Sequence, residues 1–368
     1  MKFSRIIFAL FAILALAASA CGNDDDGESA APQATAAAPE ATAAAPEATA
    51  AAPQATAAAP QATAAPAAPD EPESEPLVIG YANQGVAFAF NAAIADGVSD
   101  AADAAGIRLL VLDAEGESAQ QANDIQDLIA QEVDGVLLGA TDSTVATGFV
   151  DDLEEAGIPV VAIATQVGDP STREQSDVYE GLVALVTQNE VAAGETAGRI
   201  ALNLLPEGGE VAIIEGLTGQ AQVELRARNF LTPAEAAGVT FDIVSRQPGN
   251  WSQDTAEGVC QNIFAANPDI DLIYAQNDPM AIGCGAAAEA AGLDVQIIGV
   301  GGSGIGIAAI EEGTIQATVC YQPFTMGSLG LQTLIDHING DAVLDAEFIN
   351  YDTPGITSDN LDDCIPQW

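Results

Sequence analysis

Residues able to do chemistry are scarce in this chain. Eight Lys and Arg stand against 54 Asp and Glu, with one histidine and a formal net charge of -46. Lys2 and Arg5 fall in an export leader, so every later cation is an arginine: Arg108, Arg173, Arg199, Arg226, Arg228 and Arg246. Without a lysine beyond the leader, Schiff-base chemistry is excluded. With His337 alone, neither a Ser-His-Asp triad nor a multi-histidine metal centre is expected. A nucleic-acid partner is ruled out as well, because displacing counterions from phosphates needs a basic stripe. The acid excess is spread along the whole chain and reads as a solvation device.

The remaining motifs point away from catalysis. Gly299, Gly301 and Gly304 satisfy a dinucleotide-type glycine spacing, which also wants an acid at the end of the next strand. That strand, 315–319, ends in Cys320. The segment is better read as a glycine-rich loop whose free N–H groups face a cleft at a helix start. Asp24 to Glu28 lacks the alternating ligands of a calcium loop. Asp151, Asp152, Glu154 and Glu155 lie on one amphipathic helix as a solvated face, with nothing to set two carboxylates across a substrate. In so cation-poor a chain, Arg226 or Arg228 is a candidate to line a cleft. Trp251, in a loop at a strand's carboxyl end, is a candidate to stack on a ligand.

Several elements must position these residues. Residues 1–20 read as a signal peptide, with Lys2 and Arg5 before an apolar stretch too short to span a bilayer. Ala18-Ser19-Ala20 then precedes Cys21, which resembles a lipobox cysteine, although Ala18 replaces the usual Leu and plain A-x-A cleavage stays open. Lipid on Cys21 would leave Cys260, Cys284, Cys320 and Cys364, an even number with three possible pairings. Residues 21–76 carry Pro32, Pro39, Pro46, Pro53 and Pro60 at a period of seven in an Ala/Pro/Thr-rich spacer, read as a disordered linker. From Leu77, apolar strands at 77–82, 108–113, 135–138, 160–164, 210–214, 239–245, 271–275 and 295–300 alternate with amphipathic helical segments. Parallel sheets buried on both faces follow, and the length favours two α/β lobes divided near Gln188.

Taken in order, Leu77–Gly97, VLDAEGESAQQANDIQDLIAQEVDGVLLGATDS (111–143), IPVVAI (158–163), QNEVAAG (188–194), ANPDIDLIYAQNDPMAIG (266–283) and the glycine-rich loop resemble the periplasmic sugar-binding proteins of ABC importers, of the ribose-binding type. The resemblance implies a type I periplasmic binding fold: two doubly wound parallel-sheet lobes joined by a three-stranded hinge. The lobes would be 77–187 plus 322–346 and 188–321 plus 347–368. It implies a monomer with no cofactor and no catalysis, closing on a small molecule and docking on an ABC permease. A ligand-sensing receptor for a signalling partner and, behind it, an exported enzyme are the rivals.

By position, the resemblance assigns ligand contact to Asn83, Gln84, Phe88, Phe90, Thr165, Arg226, Trp251, Asn277, Gly301, Tyr321 and Gln322. Ala164-Thr165 replaces the family's Asp-Arg, and Gly301 replaces an Asp. Fewer carboxylates beside Arg226, plus a helix-start glycine loop, lead to the expectation of a sugar acid or a polyol derivative beside the neutral sugars. The same layout favours Cys260–Cys284 and Cys320–Cys364 as the disulfides.

Overall fold

A computed structural model of the chain describes residues 76–368. The signal peptide expected at 1–20, the expected lipidation site Cys21 and all but the last residue of the expected linker lie outside the described residues.

Strand-helix alternation builds two six-stranded sheets. The first lobe runs β1 (Val78–Asn83), α1 (Ala89–Ala105), β2 (Arg108–Asp113), α2 (Ser118–Ala130), β3 (Gly135–Leu138), α3 (Ala146–Glu155), β4 (Val160–Ile163) and β5 (Leu182–Val186). The second runs α4 (Glu190–Leu204), β6 (Gly209–Glu215), α5 (Ala221–Phe230), α6 (Thr232–Ala237), β7 (Phe241–Pro248), α7 (Gln253–Ala266), β8 (Leu272–Ala275), α8 (Asp278–Ala291), β9 (Gln296–Ile298), α9 (Gly304–Glu312) and β10 (Ala317–Val319). The chain then returns to the first lobe with α10 (Pro323–Asn339) and β11 (Glu347–Ile349), and ends its strands with β12 (Gly355–Thr357) in the second.

The strand orders are β11-β5-β4-β3-β1-β2 and β12-β10-β9-β8-β6-β7, parallel throughout except for the β10–β12 pair. Consecutive residues of a central strand feed opposite cores. Val136 and Leu138 enter one apolar cluster and Leu137 the other, while in the second lobe Leu272 and Tyr274 oppose Ile273 and Ala275. Burial on both faces is why these strands are apolar runs without alternation. The fold is the two-lobed, doubly wound α/β architecture expected.

Three segments cross between the lobes, at 187–189, 320–322 and 350–354, and they bond to one another. Thr187 N donates to Ile349 O at 3.0 Å, Tyr351 Oη to Gln188 Oε1 at 3.1 Å and Cys320 N to Pro354 O at 2.8 Å. The boundary expected at 347 falls later, because β11 pairs with β5 of the first sheet through Ile349. The structure joins Cys260 to Cys284 on α7 and α8, and Cys320 to Cys364.

Candidate functional site

Loops from the carboxyl ends of both sheets converge on one crevice, as open α/β sheets require. Phe88 and Phe90 wall it from the first lobe, Trp251 and Tyr321 from the second, around a cavity of about 360 Å³. That volume suits a small ligand. Trp251 has φ 59° and follows Asn250 at φ 55°. Asn250 tolerates the left-handed region, but a bulky indole residue there costs on the order of 1–3 kcal/mol and persists where packing over-determines it, often at ligand clamps. Here the indole lies over Gly216, where a Cβ would collide with the ring. Its Nε1 donates to Gln220 Oε1 at 2.8 Å.

Arg226 is the only charged side chain among the described residues lining the cavity. It is 5% exposed and Glu190 1%. Helices α4 and α5 bring them together by close contact: a Cβ at Gly198 would strike the backbone of Phe230. Nε and Nη2 of Arg226 donate to Glu190 at 2.5 and 2.8 Å, and Nη1 donates to Gln276 O at 2.8 Å. Glu190 also accepts from Tyr321 Oη and Gln188 Nε2, which fills both oxygens. Burial works against the charge on Arg226, but the Glu190 carboxylate outweighs it and holds the guanidinium above its ordinary pKa. Burial likewise pushes the Tyr321 hydroxyl up and keeps it neutral. Two guanidinium N–H groups stay free to meet neutral oxygens, since arginine has five.

The lobes touch along the lip of the crevice. Ser143 N donates to Gly219 O at 3.0 Å, and Ser143 Oγ accepts from Ala221 N at 2.8 Å. Behind this edge Gln220 Nε2 donates to Gln84 Oε1 at 3.0 Å.

Of the expected contacts, Gln84, Phe88, Phe90 and Arg226 line the cavity, as do Trp251, Asn277, Gly301 and Tyr321. Three do not. Asn83 spends its Oδ1 on Gly85 N in the turn after β1. Thr165 lies fully buried behind Ala164, receiving Gln222 Nε2 at 3.4 Å. Gln322 sits in the hinge, its N–H donating to Tyr351 Oη. Asn277 is mainly a helix cap: its Oδ1 accepts from Met280 N and its Nδ2 donates to Trp251 O.

The glycine-rich loop also differs from expectation. Its N–H groups are consumed internally: Gly301 donates to Val319 O, Gly302 to Thr318 Oγ1, Ser303 to Asp278 and Gly304 to the main-chain oxygen of Trp368. No anion cradle remains there, and Arg226 already has its carboxylate. Both grounds for a sugar acid are thereby removed.

The profile of the periplasmic binding protein domain family matches residues 79–342. The chain belongs to that family. It is 30% identical to the ribose import binding protein of Bacillus subtilis over 69% of this chain and 79% of that one. It is 31% identical to the D-allose-binding periplasmic protein of Escherichia coli over 65% and 78%. The crystal structure of the Caulobacter myo-inositol binding protein with myo-inositol superposes with a TM-score of 0.71 at 28% identity, covering 78% of this chain and 95% of that one. This family member is a binding protein and not an enzyme.

Sequence reasoning missed Glu190, Gln188, Gln222, Gln276 and Trp368. The four polar residues are of types common at any surface. Glu190 left no signal of its own, because α5 also carries Arg228 and α4 carries Arg199, so nothing in the sequence marks Arg226 as the arginine it pairs with. Trp368 lies past every segment that carried the resemblance.

Proposed function

We propose that the protein is an extracytoplasmic receptor that captures a neutral sugar or cyclic polyol between its lobes and hands it to an ABC permease. The observation that carries this reading is a cavity walled by aromatic rings whose single charged side chain is already neutralised by Glu190. Ring C–H faces suit aromatic walls, and hydroxyls suit the amides of Gln84, Gln188, Gln222 and Gln276. Gln222 also keeps a buried Oε1 without a partner, an acceptor for a ligand hydroxyl. A neutral ligand spares the cost of desolvating an unmatched charge. Closure is favoured because only the closed form contacts the ligand from both sides. The relatives named for ribose, D-allose and myo-inositol support the class. The leader and Cys21 support tethering by lipid, which mass spectrometry of the mature amino terminus reads directly. Isothermal titration with D-ribose, D-allose and myo-inositol against D-ribonate and D-gluconate tests the ligand class. Binding of a neutral compound supports it; binding of the acids alone refutes it.

A further inference from the structure

We propose that the segment 361–368, pinned by the Cys320–Cys364 disulfide, is a wall of the ligand site and admits only an apolar edge of the ligand. The proposal rests on the cleft being the ligand site. Cys320 lies at the second crossing, next to Tyr321, and is bonded to Cys364 with Cα atoms 5.8 Å apart; both are buried. Four residues on, Trp368 enters the cleft. Its ring meets Phe90 of the first lobe edge-on, centroids 5.5 Å apart, and fills the space beside Gly301, where a Cβ would collide with it. Gln367 binds the other lobe: its Nε2 donates to Thr325 Oγ1 at 2.8 Å, and Thr325 N donates back to its Oε1 at 3.1 Å. The segment therefore touches both lobes at the cleft.

The polar groups that flank the Trp368 ring are spent. Trp368 Nε1 donates to Gly301 O at 3.1 Å, and that oxygen also accepts from Tyr321 N. Gly301 N donates to Val319 O at 2.7 Å. A ligand hydroxyl pressed here would lose its water and gain no partner, whereas a C–H edge or a methyl group would lose nothing. The wall selects a deoxy or C–H edge over a hydroxyl at that position.

Two readouts test this. Titration compares D-fucose with D-galactose and L-rhamnose with L-mannose, each pair differing by one hydroxyl. The unaltered protein is expected to favour the deoxy member of a bound pair by about tenfold, the worth of one unpaired polar group. Trp368→Ala should abolish the preference and Trp368→Phe should keep it. An equal or reversed preference, or one untouched by Trp368→Ala, overturns the proposal. The second readout needs no ligand. In a Trp251→Phe protein Trp368 is the sole tryptophan, and acrylamide quenching should rise severalfold when Cys320→Ser and Cys364→Ser are added. Unchanged quenching overturns the proposal. Should no carbohydrate bind at all, the functional reading falls, and the quenching result alone decides where the segment sits.

Discussion

Glu190 holds Arg226 through two hydrogen bonds, at 2.5 and 2.8 Å, with both side chains sealed from solvent. The pair converts the one cation of the cleft into a neutral donor set. Glu190→Gln strands the arginine charge, and removing one partner of a buried pair costs about 3–5 kcal/mol. Urea unfolding should show that loss as a lower midpoint at unchanged slope. The same variant should begin to bind D-ribonate. A variant as stable as the original, and still blind to the acid, would contradict the role given to Glu190.

Ser143 joins the two lobes at the lip of the cleft by accepting from Ala221 N and donating to Gly219 O. Ser143→Ala removes only the first bond, worth about 0.5–1.5 kcal/mol. Affinity should fall several-fold while the melting temperature without ligand stays in place, because each lobe has its own core. A drop in melting temperature without a change in affinity would make Ser143 a lobe-stability residue instead.

Asp278 is fully buried at the start of α8 and accepts from Ser303 N and Oγ, both at 2.7 Å, and from Thr318 Oγ1. Burial pushes its pKa above the ordinary carboxylate value, with those hydrogen bonds offsetting part of the rise. The folded protein then binds this proton more tightly than the unfolded chain. Its contribution to stability is full below about pH 4 and is lost as pH rises through the raised folded value. Denaturation from pH 4 to 8 should show the original protein losing stability relative to Asp278→Asn as pH increases. A constant difference between the two would contradict the shift.

The Cys260–Cys284 bond staples α7 to α8 across 24 residues, on the core side of the second sheet and among apolar neighbours. Replacing both cysteines with alanine should cost about 3 kcal/mol of stability. Ligand affinity should hold, since neither residue lines the cavity. Calorimetric melting beside titration separates the two effects.

The alternation of β1 to β4 with their helices was legible because strands buried on both faces must be continuous apolar runs. Helix α10 was not, although it has 17 residues. Gly327 and Gly330 read locally as helix breakers. In the fold Gly327 lies against Ile94 O and Gly97 of α1 against Phe324 O, where no Cβ fits. A contact between segments some 230 residues apart leaves no local trace. Strand β5 is a five-residue apolar run, too short for its period to separate strand from helix. Of the aromatic walls, Trp251 was legible from residue type and loop position, while Phe88, Phe90 and Tyr321 came only with the family resemblance and Trp368 from neither. The Glu190–Arg226 pairing depends on how α4 and α5 cross, which no spacing along the chain encodes.

The two tryptophans of the chain, Trp251 and Trp368, both line the cleft, so tryptophan emission, excited beyond the tyrosine band, reports on that cavity. Titrating the unaltered protein with D-ribose, D-allose, myo-inositol and D-ribonate tests the central claim most directly. A saturable emission change with at least one neutral compound, and none with the acid, is the predicted result. A change with D-ribonate only, or a flat trace with every neutral compound, would contradict the account.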